Sequence, residues 1–147
     1  MEILSFDIEI HASTEKVWKA LWEEDSYKKW TAIFSEGSYA VSDWNEGSKI
    51  YFLSKEGDGM NSIIVTKIPN KHMAFKHVGV MKDGKEVPNT DEVNSWAGAM
   101  EEYFLDEELN HATLLTVKMD VTDEFKDYFI ETFPKALNEV KKLAETK

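Results

Sequence analysis

The chain has 147 residues, 42% of them apolar and 12% aromatic, and its 28 acidic against 17 basic residues give a formal charge of −11. A chain of this length buries about 68–70% of the surface it exposes when unfolded, which fits one globular domain over 1–147 with a core large enough to hold a cavity. The charge argues against nucleic-acid phosphates and anionic lipid as partners. With no Arg there is no guanidinium fork for bidentate recognition, and with no Cys there are no disulfides, thiolate nucleophiles or Cys-based metal clusters.

In chain order, Leu4, Phe6, Ile8 and Ile10 alternate with Ser5, Asp7 and Glu9, the period of a half-buried strand. Ser13 then precedes Val17, Trp18, Leu21 and Trp22 at helical spacing and is placed to cap that helix. Asp25 is expected to cap a second, short helix ending near Trp30. Beyond it, turn signals separate strand-like runs at Tyr39–Ser42, Lys49–Ser54, Met60–Ile68, Met73–Met81, Ala97–Leu105 and Thr113–Val121. Short links predict an antiparallel meander, interrupted by a polar connection from Lys82 to Ser95 that is long enough to be a lid candidate. Asp123 is expected to cap a last helix whose stripe of Phe125, Phe129, Phe133, Ala136, Leu137, Val140 and Ala144 must lie on something apolar. Pro134 inside it predicts a kink or short break.

Signatures of several chemistries are missing. Gly57-Asp58-Gly59 is a turn and neither a dinucleotide fingerprint nor a phosphate loop, and no Gly-x-Ser-x-Gly elbow occurs. His72 and His77 fall on opposite faces of one strand, and His11 and His111 have no partner at a ligand spacing, so neither a metal nor a cofactor is expected. No run approaches about 18 apolar residues and no signal-peptide succession opens the chain, so a cytoplasmic protein without membrane insertion is expected.

Four motifs carry a likeness: Ile10-His11-Ala12-Ser13-Thr14-Glu15-Lys16-Val17-Trp18-Lys19-Ala20-Leu21 with Trp30, Asp43-Trp44-Asn45-Glu46-Gly47-Ser48, Tyr103-Phe104-Leu105 before Ala112-Thr113-Leu114-Leu115, and Phe133-Pro134-Lys135-Ala136-Leu137. With the β-α-α-β6-α order, they make the chain resemble the START-like helix-grip (SRPBCC) superfamily, in the branch of bacterial domains related to the heat-shock-protein-ninety ATPase activator. The resemblance implies an α+β fold in which a curved antiparallel sheet grips the last helix, with an apolar cavity between them for a lipid, polyketide or other small hydrophobic molecule.

Lysines set the phase of the strands, since successive side chains point to opposite faces. Lys76 outward predicts Met73, Phe75, His77, Gly79 and Met81 inward. Lys67 outward predicts Met60, Ser62, Ile64, Thr66 and Ile68 inward, and Lys118 outward predicts Thr113, Leu115, Val117 and Met119 inward. Glu101 and Glu102 are adjacent, so one carboxylate faces the core. Inward Trp96, Met100 and Phe104 would bring Glu102 in, whereas the family's Tyr and Leu pattern would bring in Glu101 with Tyr103 and Leu105.

The expected ligand site therefore comprises Trp30, Phe34 and Trp44 as an aromatic rim, Met60, Ile64, Phe75, Leu115 and Val117 as a wall, and Phe125, Phe129 and Phe133 from the last helix. His77, Glu101 and Tyr103 are its polar groups, and His77, Glu101 and Glu102 are the only candidates for acid–base chemistry. The expected function is binding of a small hydrophobic or amphipathic ligand by a monomer or homodimer. The alternatives are a cyclase, dehydratase or isomerase using the same cavity, or a co-chaperone-like domain whose acidic surface meets a protein partner.

Overall fold

The computed structural model describes residues 1–146 and opens with strand β1 (Glu2–Ile10), whose buried positions alternate as its apolar residues do. Ser13 caps α1 (Thr14–Trp22), its hydroxyl accepting the Lys16 amide at 3.2 Å. Helix α2 (Glu24–Thr31) starts two residues earlier than a cap at Asp25 would allow: Glu23 takes the cap position without a side-chain bond. The Trp30 indole donates to the Leu21 carbonyl at 3.0 Å, tying α2 to α1 through a carbonyl that the helix end leaves free.

The strands β2 (Tyr39–Val41), β3 (Lys49–Leu53), β4 (Gly59–Ile68), β5 (His72–Lys82), β7 (Ala99–Glu107) and β8 (Thr113–Val121) follow, with the two-residue β6 (Lys85–Glu86) hairpinned onto β5. The eight-stranded sheet has the order β1-β8-β7-β5-β4-β3-β2, antiparallel throughout. The last helix, α4 (Asp123–Glu145), buries Phe133, Ala136, Leu137, Val140 and Ala144 against its concave face, with Phe133 stacked on Phe6 at 5.2 Å. Pro134 does not break it: α4 runs through as one helix. Thr122, not Asp123, holds its cap position. His11 donates its amide to Glu145 at 2.7 Å, and Lys141 bonds the Glu9 carbonyl at 3.2 Å, fastening the far end of α4 to β1. This is the expected α+β helix-grip architecture.

Two irregularities in the β4–β5 ladder correct the lysine phases. Ser62 pairs with His77 but Asn61 pairs with Gly79, so Val78 is an extra residue on β5. A bulge of this kind restarts the alternation: Val80 and Met60 face the concave side, and Gly79 and Met81 do not line it. Likewise Ile64 pairs with Phe75 and Thr66 with Ala74, leaving Val65 unpaired on β4. Beyond it Ile68 is 48% exposed, and Lys67, expected outward, pairs with buried Met73 and donates to the Trp44 carbonyl at 2.7 Å.

The connection from Lys82 to Ser95 is not structureless. It holds β6 and a single helical turn, α3 (Asp91–Asn94), capped by Thr90. Glu86 clamps it to the outer face of the sheet, accepting from Lys49 at 2.9 Å, Tyr51 at 2.5 Å and Asn61 at 3.3 Å. The Lys49 bond, contributing most, and the Tyr51 bond hold the Glu86 carboxyl below its ordinary range. These groups cross the sheet over Gly79, where a Cβ would sit 3.0 Å from Asn61 Nδ2 and 3.1 Å from Asn89 Oδ1.

Candidate functional site

Between the concave sheet face, α2 and α4 lies a cavity of about 620 Å³, within the range of small-molecule sites. Its walls are mostly rings. Trp22 is central, meeting Tyr103 edge-on at 4.9 Å and Phe75 at 5.4 Å, with Tyr27 crossing Trp30 at 5.5 Å beside it. Phe34 and Phe133, 5.1 Å apart, join the α2 side to α4.

One polar string runs across the inner face of β4, β5 and β7. Ser62 Oγ lies 2.7 Å from His77 Nδ1, and His77 Nε2 lies 3.0 Å from Glu101 Oε1. The Tyr103 hydroxyl donates to the other oxygen, Glu101 Oε2. Strand pairing sets this arrangement: Ser62 is directly opposite His77, and Glu101 is opposite Phe75 on the adjacent strand. The Ser62 hydroxyl can donate to a neutral imidazole or accept from an imidazolium, so the string is satisfied in either protonation state. Burial works against the ionised form of Glu101, but the His77 bond and charge and the Tyr103 bond outweigh it and hold the carboxyl below its ordinary value. Burial, followed by the charge of Glu101, pushes the Tyr103 and Tyr27 hydroxyls well above theirs. Ser62 is fully buried and does not line the cavity, which removes it as a nucleophile; His77, Glu101 and Tyr103 do line it.

Of the residues expected from sequence, Trp30, Phe34, Met60 and Phe75 line this cavity, as do Phe125, Phe129 and Phe133. Ile64, Leu115 and Val117 do not: they are fully buried in the core beneath it. Trp44 is also elsewhere, in a smaller cleft of about 250 Å³ with Trp18, Lys67 and Met73, at a left-handed φ of 63°. Glu102 faces the opposite side of the sheet, 3.1 Å from His72, whose ring stacks on Phe104 at 4.4 Å. The competing pattern fails because Trp96 is not in the strand: it belongs to the turn closed by Ala99 N to Trp96 O at 3.0 Å, and Gly98 at φ 95° intervenes.

Sequence reasoning missed Trp22, Tyr27 and Phe52 as cavity residues. Phe52 was accessible to the same phase argument, since outward Lys49 places Ile50 and Phe52 inward. The i, i+4 relation of Trp22 to Trp18 reads as helix packing, and nothing local to Tyr27 marks it. Among the described residues there is no grouping of His, Asp and Glu able to hold a metal ion, and no helix is long and apolar enough to cross a membrane.

Among solved structures, the chain superimposes on protein MLL2253 from Mesorhizobium loti with a TM-score of 0.76 at 12% identity, covering 99% of this chain and 98% of that one. It matches the solution structure of the Aha1 dimer from Colwellia psychrerythraea with a TM-score of 0.70 at 24% identity over 98% and 97% of the two chains. CalU16 from Micromonospora echinospora gives 0.67 at 15% identity over 97% and 75%. These likenesses concern the fold. No curated protein matches the sequence. The profile of the family described as "Activator of Hsp90 ATPase homolog 1-like protein" matches residues 11–145, and the chain belongs to that family.

Proposed function

We propose that the protein binds a small hydrophobic or amphipathic molecule in the cavity between the sheet, α2 and α4. The observation that carries this reading is a cavity of about 620 Å³ walled by aromatic rings around a single buried polar cluster, His77, Glu101 and Tyr103. Such a site pairs a non-directional apolar contribution with a few groups that fix orientation. Native mass spectrometry of freshly purified protein tests it against the chain mass of 16.9 kDa. A retained adduct with a hydrophobic skeleton supports the reading. A clean apo mass, together with no stabilisation by any member of a hydrophobic ligand library, overturns it.

A second reading, proton-transfer catalysis of the cyclase, dehydratase or isomerase type, draws on the same string, because His77 and Glu101 both border the cavity. It requires that His77→Gln abolish turnover while binding is kept; loss of binding alone argues against it. Family membership supports a third, a co-chaperone-like contact through the surface of a chain with net charge −11, which predicts a salt-sensitive complex with a protein partner.

A further inference from the structure

The charge inventory of the cavity narrows the ligand class. Among the described residues four carboxylates line it, Asp58, Glu92, Glu101 and Asp120, and no Lys does; the chain has no Arg at all. Among the described residues, the only lining ones that can carry positive charge are His77, already engaged with Glu101, and Met1, which is 63% exposed. A carboxylate or phosphate head entering this space would lose water with no cation to replace it, beside an ionised Glu101. Burying an unpaired charge in that way is prohibitive.

The converse holds for a cation. Glu101 Oε1 accepts from His77 and Oε2 from Tyr103, which leaves each oxygen a lone pair for a further donor. Its desolvation is already compensated by those two bonds, so a ligand need not impose it. Beside it stand Trp22, Tyr27, Trp30 and Tyr103: Trp30 meets the other three edge-on at 5.5 to 6.4 Å, Trp22 meets Tyr103 edge-on at 4.9 Å, and Trp22 and Tyr27 are stacked at 6.5 Å. Such rings offer π faces that attract a cation, Trp most strongly. Asp58, Glu92 and Asp120 in the lining add a field of the same sign, which apolar walls focus.

We infer that the cavity selects a lipophilic amine, an aromatic or aliphatic skeleton bearing a protonated nitrogen, with the ammonium paired to Glu101 and enclosed by Trp22, Tyr27, Trp30 and Tyr103. This rests on the binding reading above and specifies its ligand by charge.

The test compares three probes of one skeleton, naphthylmethylammonium, naphthylmethanol and naphthoate, by calorimetric titration of the intact protein near neutral pH. The ammonium binds at least about tenfold more tightly than the alcohol and about a hundredfold more tightly than the carboxylate, because it forms a charge-assisted hydrogen bond and escapes the repulsion that the carboxylate meets. In Glu101→Gln the ammonium's advantage over the alcohol shrinks to about threefold or less, while the alcohol, which needs only the apolar walls, still binds and so reports an intact cavity. The wild-type ordering decides even where that variant does not fold. Equal or tighter binding of the alcohol or the carboxylate overturns the inference and leaves the cavity a general hydrophobic site. Failure of all three to bind overturns the inference, while the binding reading is decided separately by the adduct and library measurements above.

Discussion

His77 Nε2 lies 3.0 Å from Glu101 Oε1 inside the sheet's concave face, on neighbouring strands two residues out of direct register. With the Tyr103 hydroxyl on the second oxygen, Glu101 is the hub of the buried polar string. Removing it leaves two donors without an acceptor. Glu101→Ala is expected to cost about 3 kcal/mol, and Glu101→Gln, which keeps an oxygen for one donor, about 1 kcal/mol. Urea denaturation of the three proteins checks the order; an Ala variant no less stable than the Gln variant would show that the string contributes nothing.

Acid sensitivity follows from the same group. The folded Glu101 carboxyl is held below its ordinary value of 4.5. A depressed folded pKa contributes stability that is full above the unfolded value and is lost as pH falls through the folded one. Asp43, Glu86 and Glu145 are lowered too and act in the same direction. Glu108 is raised by its bond to Glu9 and acts oppositely, losing its contribution as pH rises through its folded value. Stability measured by denaturant titration should therefore decline as pH falls below about 4.5, and the decline should be shallower in Glu101→Gln. Equal slopes would remove Glu101 from the acid limb.

A ligand that occupies the cavity stabilises the native state in proportion to the logarithm of its excess over Kd. At a hundredfold excess the gain is about 2.7 kcal/mol, or a rise in Tm of about 5–10 °C for a chain of this size. Ala99 lines the cavity directly opposite His77 on the adjacent strand, so Ala99→Leu fills space there. Ligand affinity should drop about tenfold while the apo Tm stays level or rises, as expected when apolar atoms enter an existing void. A parallel fall in apo Tm would mean the variant disturbed the fold and not the cavity alone.

Gly79 makes a local prediction. A methyl there would press on Asn61 and Asn89, whose side chains cross the bare backbone beside the Glu86 clamp. Gly79→Ala should cost about 1–2 kcal/mol, and hydrogen exchange should accelerate at Lys85 to Asn94 before it does in α4. Uniform acceleration would point to global destabilisation and not to release of the clamp.

The order of elements was legible in the sequence because local periodicity and turn chemistry act within a few residues. The alternation Leu4, Phe6, Ile8, Ile10, the Ser13 cap and the apolar stripe of α4 each report their own environment. The family likeness added the cavity, inward phase placed His77 in it, and the family's Tyr–Leu pattern favoured Glu101 with Tyr103 without deciding between Glu101 and Glu102. Strand phase itself is local only until a bulge intervenes. The extra residues Val78 and Val65 reverse the faces beyond them, which moves Gly79 and Met81 off the concave face, exposes Ile68 and turns Lys67 toward Trp44.

What the sequence determined by itself was the order of elements and the charge of the chain, since both follow from residue types and spacings along one strand or helix. Only the tertiary structure decided which carboxylate of Glu101 and Glu102 meets His77, that Trp22, Tyr27 and Phe52 border the cavity, and that Ile64, Leu115 and Val117 are core beneath it. The absence of Lys from the cavity wall, among the described residues, belongs with these. The 17 basic residues are distributed along the chain, and it is the register of the strands and the seating of α4 that keep the described ones off that surface. Such a selection depends on contacts between distant segments, which no local pattern encodes.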